Sequence, residues 1–322
     1  MTPEQKKFLD EIAAELKMQP GFNDVEQLFF PLRFDKKRPT LYKHKDIAEI
    51  LMIPEGSKLP QDFYSKSIGT TVQNIVSGMV GRLETKHKKA ISGLYEAEMR
   101  ADGVDVDSLL NGKKGEKGTW EVVYDWLWNH KYLRWLDENG WQILQEKAKS
   151  PPNWLQFLTK EEMASVQRGT RAVILPPPPP AVQKITPTIP AEKSLWMVID
   201  LEFDNFQLLL LNRSQDGEFL LCPSSAYAPH PIIEKPPILL PQKDSWADQD
   251  ESKTNFKFGK LVKEEFLAIA VEKPVSLPWL IPREEEALPE WNAERLKELF
   301  EQLAKQDNWQ VFYQSFEVVK TA

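Results

Sequence analysis

The chain has 322 residues, of which 41% are hydrophobic, and a formal net charge of −7; that apolar content suffices for two domains of about 150 residues each. One cysteine, Cys222, excludes an intrachain disulfide, and His44, His87, His130 and His230 share no metal-ligand spacing, so neither a disulfide framework nor a zinc site is expected. The charged opening MTPEQKKFLDEIAAELK is unlike a secretory leader, and no uncharged stretch reaches the roughly 20 apolar residues of a membrane span. A soluble, cytoplasmic protein with no membrane partner is the expectation.

Helical periodicity dominates the first half. Thr2, Pro3 and Glu4 mark a helix start, and Phe8, Ile12, Ala13 and Leu16 recur at helical spacing until Pro20 and Gly21 end the segment. Val25, Leu28, Phe29 and Phe30 form a short apolar segment stopped by Pro31. Residues 33–45 then hold Arg33, Lys36, Lys37, Arg38, Lys43 and Lys45 against Asp35 alone. A short helix is expected over 46–51 and a longer one over 70–87, with Val72, Ile75, Val76, Met79, Val80 and Leu83 as its apolar stripe. The other face carries Gln73, Asn74, Ser77 and Arg82. Between residues 33 and 89 there are twelve Lys or Arg against six Asp or Glu, a local balance of +6 in an acidic chain.

Residues 101–118 read as a loop, and Asp102, Asp105 and Asp107 lack the central Gly and terminal Glu of a calcium loop. Thr119 caps a further helix that presents Trp120, Val123, Tyr124 and Leu127 on one face, while Trp126 and Trp128 point elsewhere. It continues toward Trp135 and Leu136, and Gly140 separates it from a segment holding Trp141, Ile143 and Leu144. These aromatics fit a core better than a base-stacking surface. Trp154, Leu155, Phe157 and Leu158 close a mostly helical domain over 1–170.

Five prolines, Pro176 to Pro180, make 171–192 an extended linker. Beyond it the pattern shortens to strands. LWMVIDLEF and FQLLLLN are strand-like, and Asp216-Gly217 turns the second of these back on Glu218 to Cys222. Strands follow near 238–240, 266–272 and 309–319, with an amphipathic helix over 291–305 that turns Leu296, Leu299, Phe300 and Leu303 inward. From Ala191 onward the charge balance is −9, which a phosphate backbone would repel. The fold class is therefore α+β. A mostly helical domain with a helix-turn-helix or winged-helix-like surface precedes a β-rich domain, 193–322, bearing one amphipathic helix.

The stretch LLLLNRSQDGEFLLCPSSAYAPHPIIEKPPILLP, followed by KEEFLAIAVEKP, resembles a poorly characterised β-rich domain widespread in cyanobacteria. The likeness rests on the Asp216-Gly217 turn, Cys222-Pro223-Ser224 and the FLAIAV strand, and it covers residues 195–280. It implies an accessory or sensing module without a catalytic set.

Ser224, Ser225 and His230 lack a nucleophile elbow, and no phosphate-binding glycine loop occurs, so no enzyme and no cofactor are expected. The leading expectation is a dimeric DNA-binding regulator. Ser67, Thr70, Thr71, Gln73 and Asn74 would meet base edges or phosphates, with Arg33, Lys36, Lys37, Arg38, Lys43, Lys45 and Arg82 around them. The acidic half would sense or recruit a partner and would compete for the basic patch. The alternative is a non-enzymatic protein-interaction adaptor.

Overall fold

The computed structural model describes residues 1–18, 24–36, 46–47, 68–84, 89–111, 119–167, 186–249 and 256–320. The fold is α+β, with helices enriched in the N-terminal region and strands in the C-terminal region. Two compact units, Met1–Glu138 and Asn139–Ala322, divide the chain. The proline run and most of the expected linker lie outside the described residues.

In the first unit, helix α1 (Pro3–Lys17) starts where local chemistry fixes it. The Thr2 hydroxyl accepts from Gln5 N at 3.2 Å, and Gln5 Oε1 accepts from Thr2 N at 3.0 Å, so two otherwise orphaned donors are satisfied. Helix α2 (Asp24–Arg33) runs through Pro31 instead of stopping there. Proline removes only its own donor, and Phe34 N still reaches Phe30 O at 3.0 Å. Helix α3 (Ile68–Val80) leads into strands β1 (Gly81–Glu84) and β2 (Lys89–Ser92), then α4 (Glu96–Ala101) and α5 (Val106–Asn111). The expected loop at 101–118 is thus partly helical. Asp105 caps α5, accepting from Ser108 N at 3.0 Å and from its hydroxyl at 2.6 Å.

Helix α6 (Thr119–Trp126) passes through a π turn, Leu127–Lys131, into α7 (Tyr132–Glu146). The wider turn resets the helical register, and Trp126, Leu127 and Trp128 are all buried. Around α1, the Phe8 ring lies 5.1 Å from Tyr132 and 5.6 Å from both Trp128 and Trp135. These aromatics are core. Burying each such side chain contributes about 2–3 kcal/mol.

In the second unit, α7 runs through Gly140 without a break. A Cβ there would stand 2.0 Å from the Leu296 side chain, so the glycine is a packing device. Strands β3 (Ala148–Lys149) and β4 (Leu155–Leu158), helix α8 (Lys160–Gln167), and strands β5 (Thr188–Pro190) and β6 (Trp196–Ile199) come next. The expected hairpin forms from β7 (Phe206–Ser214) and β8 (Gly217–Cys222), closed by Ser214 opposite Gly217, with Gly217 alone of the Asp-Gly pair at positive φ. Then follow β9 (Ile232–Ile233), β10 (Ile238–Leu240), α9 (Trp246–Gln249), β11 (Lys263–Val271), α10 (Ala293–Leu303) and β12 (Trp309–Val319).

The larger sheet has the order β3-β12-β11-β7-β8, with β5 also on β12 and β9 on β7; the smaller has the order β10-β6-β4. Leu208, Leu210, Phe266, Ala268 and Phe312 of the large sheet share one core with Leu155, Met197, Ile199 and Leu240 of the small one. The opposite face, with Leu209, Leu211, Leu267 and Ile269, is buried as well. Strands buried on both faces read as unbroken apolar runs. Helix α10, capped by Asn292 Oδ1 accepting from Arg295 N at 3.0 Å, buries Leu296, Leu299, Phe300 and Leu303.

Candidate functional site

The residues expected to meet DNA centre on α3. Its Val72, Ile75, Met79 and Val80 are buried, and Thr70, Gln73 and Asn74 are exposed. The helix does not continue to residue 87. At Gly81 the backbone turns to φ 107°, and β1 pairs antiparallel with β2, Gly81 opposite Ser92 and Glu84 opposite Lys89. Leu94 N donates to Gly78 O at 2.8 Å and Tyr95 N to Met79 O at 2.9 Å. These bonds tie the exit of the hairpin to the last turn of α3. A helix thus hands directly to a two-stranded ribbon and is fastened to it by backbone hydrogen bonds. Arg82 belongs to β1, where it pairs with Ile91.

The other expected site residues divide by burial. Arg33 is buried, with its guanidinium carbon 3.8 Å from the Trp120 ring centroid. Burial lowers its pKa against the pull of Glu121 and Tyr124. Thr71 is also buried. Lys36 is half-buried, and its carbonyl accepts from Tyr124 Oη at 3.1 Å. Asn74 Nδ2 donates to Glu26 Oε1 at 2.6 Å. Lys37, Arg38, Lys43, Lys45 and Ser67 lie outside the described residues, as does most of the expected helix over 46–51.

Two basic side chains of the Leu127–Lys131 turn and α7 are matched internally. Lys131 Nζ lies 3.0 Å from Glu98, and Arg134 reaches Glu98 at 3.2 Å and Asp102 at 2.8 Å. Burial would raise the Asp102 pKa, but hydrogen bonds from Trp126 and Arg134 outweigh it and hold the carboxyl below its usual range. The Tyr95 phenol, which donates to Glu15, is pushed far above its usual range by burial and by that carboxylate.

In the second unit, Cys222 is fully buried, and burial alone drives its thiol pKa up. Ser224 is buried too, its hydroxyl donating to Leu221 O at 2.6 Å and accepting from Tyr227 N at 3.1 Å, while His230 is exposed. This is a turn motif without an aligned base. Among the described residues, no group of three or more His, Cys, Asp or Glu is placed to hold a metal ion. No helix among them is long and apolar enough to cross a membrane.

Two features escape the sequence reading. One is the hairpin after α3, whose only local signal is Gly81 within an apolar stripe. The other is a cavity of about 690 Å³ at one end of the large sheet, lined among others by Phe203, Asp204, Glu272 and Asp307. Those residues come from separate stretches of chain, so no motif announces them. No protein-family model, no curated protein and no solved structure matches this chain.

Proposed function

We propose that the first unit is a DNA-binding module of winged-helix type, in which α3 approaches a groove and the β1–β2 hairpin follows the phosphate backbone. The direct passage of α3 into a fastened antiparallel ribbon carries this reading. The exposed Thr70 and Gln73 supply polar groups toward base edges. The sequence between the two strands, TKHK at 85–88, holds two of the twelve basic residues of 33–89. In this proposal the β-rich second unit is the sensing or recruiting part of a regulatory protein, in keeping with the accessory domain that residues 195–280 resemble.

A protein-interaction adaptor is the second reading. It is favoured by the withdrawal of Arg33 and Thr71 from the surface and by the Asn74–Glu26 bond, which reduce the polar set that α3 offers.

Selection from randomised duplexes with the full chain, followed by a salt series on the enriched sequence, tests the choice. Replacing Lys86 and Lys88 by alanine is expected to lower the salt slope by about one per lost phosphate contact, on every duplex alike. Gln73→Ala is expected to relax sequence preference and leave the slope unchanged. Absence of both enrichment and salt-sensitive binding rejects the DNA reading and leaves the adaptor.

A further inference from the structure

We propose that the cavity at the end of the large sheet binds an alkyl ammonium group, carried by a free polyamine or by the basic side chain of a peptide. This inference concerns the second unit alone and does not depend on the nucleic-acid reading. The cavity, about 690 Å³, falls within the roughly 300–1,000 Å³ of small-ligand sites. Its apolar lining includes the rings of Phe203, Phe206 and Trp309 beside Ala270 and Val311. Phe206 is buried, and half-buried Phe203 stands 6.1 Å from Phe206 and 5.9 Å from Phe312, ring centre to ring centre.

Charge decides what would sit against those rings. Two lysines and three carboxylates line the cavity, an acidic balance of one. Both lysines are engaged by the protein. Lys149 Nζ donates to Gln310 Oε1 at 2.6 Å, and Lys147 Nζ stands 5.2 Å from the Trp309 ring centre and 5.9 Å from that of Phe300. Glu272 Oε2 accepts from Asn308 Nδ2 at 2.6 Å, and its backbone N–H donates to Asn308 O at 3.2 Å. Asp204 and Asp307 are exposed, and no side-chain hydrogen bond or ion pair holds either of them among the described residues. The unmet acceptor capacity of the cavity is therefore anionic. A carboxylate oxygen only accepts, whereas an ammonium only donates, with three N–H groups on an apolar stem. Such a stem suits the Phe203 and Phe206 rings, and its head suits the carboxylates that line the same cavity. An anionic ligand would meet three like charges and two lysines already engaged.

Calorimetric titration of the full chain at fixed ionic strength, once with spermidine and once with a short oligolysine peptide, tests the proposal. Saturable binding of one equivalent is expected, with the stronger of the two probes identifying the source of the ammonium. The double substitution Asp204→Asn and Asp307→Asn should weaken binding about tenfold, from two carboxylate contacts of ordinary surface strength. Neither side chain has a hydrogen-bond or ion-pair partner among the described residues, so the fold should be unaffected. Asp10→Asn, an exposed carboxylate on α1, should leave the affinity unchanged. Failure of both probes to saturate at millimolar concentration overturns the proposal. So does an affinity that the double substitution leaves within twofold of the unaltered chain. Neither result touches the DNA reading, because no substituted residue of the cavity belongs to the first unit.

Discussion

Gly81 is the point on which the α3–hairpin arrangement turns, and Gly81→Ala measures it. Two costs add there. Its φ of 107° lies in the left-handed region, which costs an L residue about 1–2 kcal/mol. A Cβ would also stand 2.6 Å from Ile91 O and 2.9 Å from Gly93 N. Both are backbone atoms, one in β2 and one in the residue that follows it, and cannot swing aside, so overpacking adds about 1–3 kcal/mol. Gly103 separates the two terms. It has φ 82° with nothing within 4 Å of its Cβ position, and Gly103→Ala should cost only the first about 1–2 kcal/mol. Hydrogen exchange read by mass spectrometry on peptides covering 68–95 and 96–111 reports the local opening free energy in each variant. Gly81→Ala should open its segment by about 2–5 kcal/mol, and any salt-sensitive DNA binding should weaken with it. Equal costs at the two glycines would refute the close approach of β2 to the end of α3.

Arg33→Ala should lower the stability of the first unit by about 2–4 kcal/mol through lost stacking on Trp120 and lost packing, measured by urea denaturation. It should leave the salt slope of DNA binding unchanged, because a buried cation displaces no counterion. A slope reduced by about one with stability intact would make Arg33 a phosphate contact instead. Asp102→Asn tests the internal ion network. The folded pKa of Asp102 lies below its ordinary value, so its stabilisation is present above the unfolded pKa of about 3.9 and is lost as pH falls through the folded value. The variant should melt lower than the unaltered chain at neutral pH, and the gap should close in strong acid. A gap independent of pH would mean that the carboxylate charge is not what stabilises the fold.

Features that neighbouring residues determine were legible in the sequence. Helix α1 starts where expected because Thr2 and Gln5 cap each other within a single turn. The β7–β8 hairpin is equally local: Gly217 takes the positive φ that most side chains resist, and the apolar runs on either side pair across it. Cys222 is buried as the apolar run around it implies. The shift from helical to shorter, strand-like periodicity likewise predicts helices first and strands afterward.

The misread segments depend on residues far away in the chain. The apolar stripe from Val72 to Leu83 suits one long helix, and only the pairing of β1 with β2 draws Leu83 into a strand. Gly140 looks like a break, yet it lies inside α7 where the Leu296 side chain leaves no room for a Cβ. Ala148–Lys149 and Thr188–Pro190 are too short to show a period, and they become strands because β12 offers them an edge. Arg33 reads as one of a basic run until Trp120 stacks on it, and Asp204 and Asp307 show no kinship until the sheet end gathers them around one cavity. Capping, turn chemistry and periodicity act across a few residues, so the sequence alone determined the helix starts and the hairpin. Close backbone approach, edge pairing and the sharing of a cavity act between distant segments, and those were decided only by the tertiary structure.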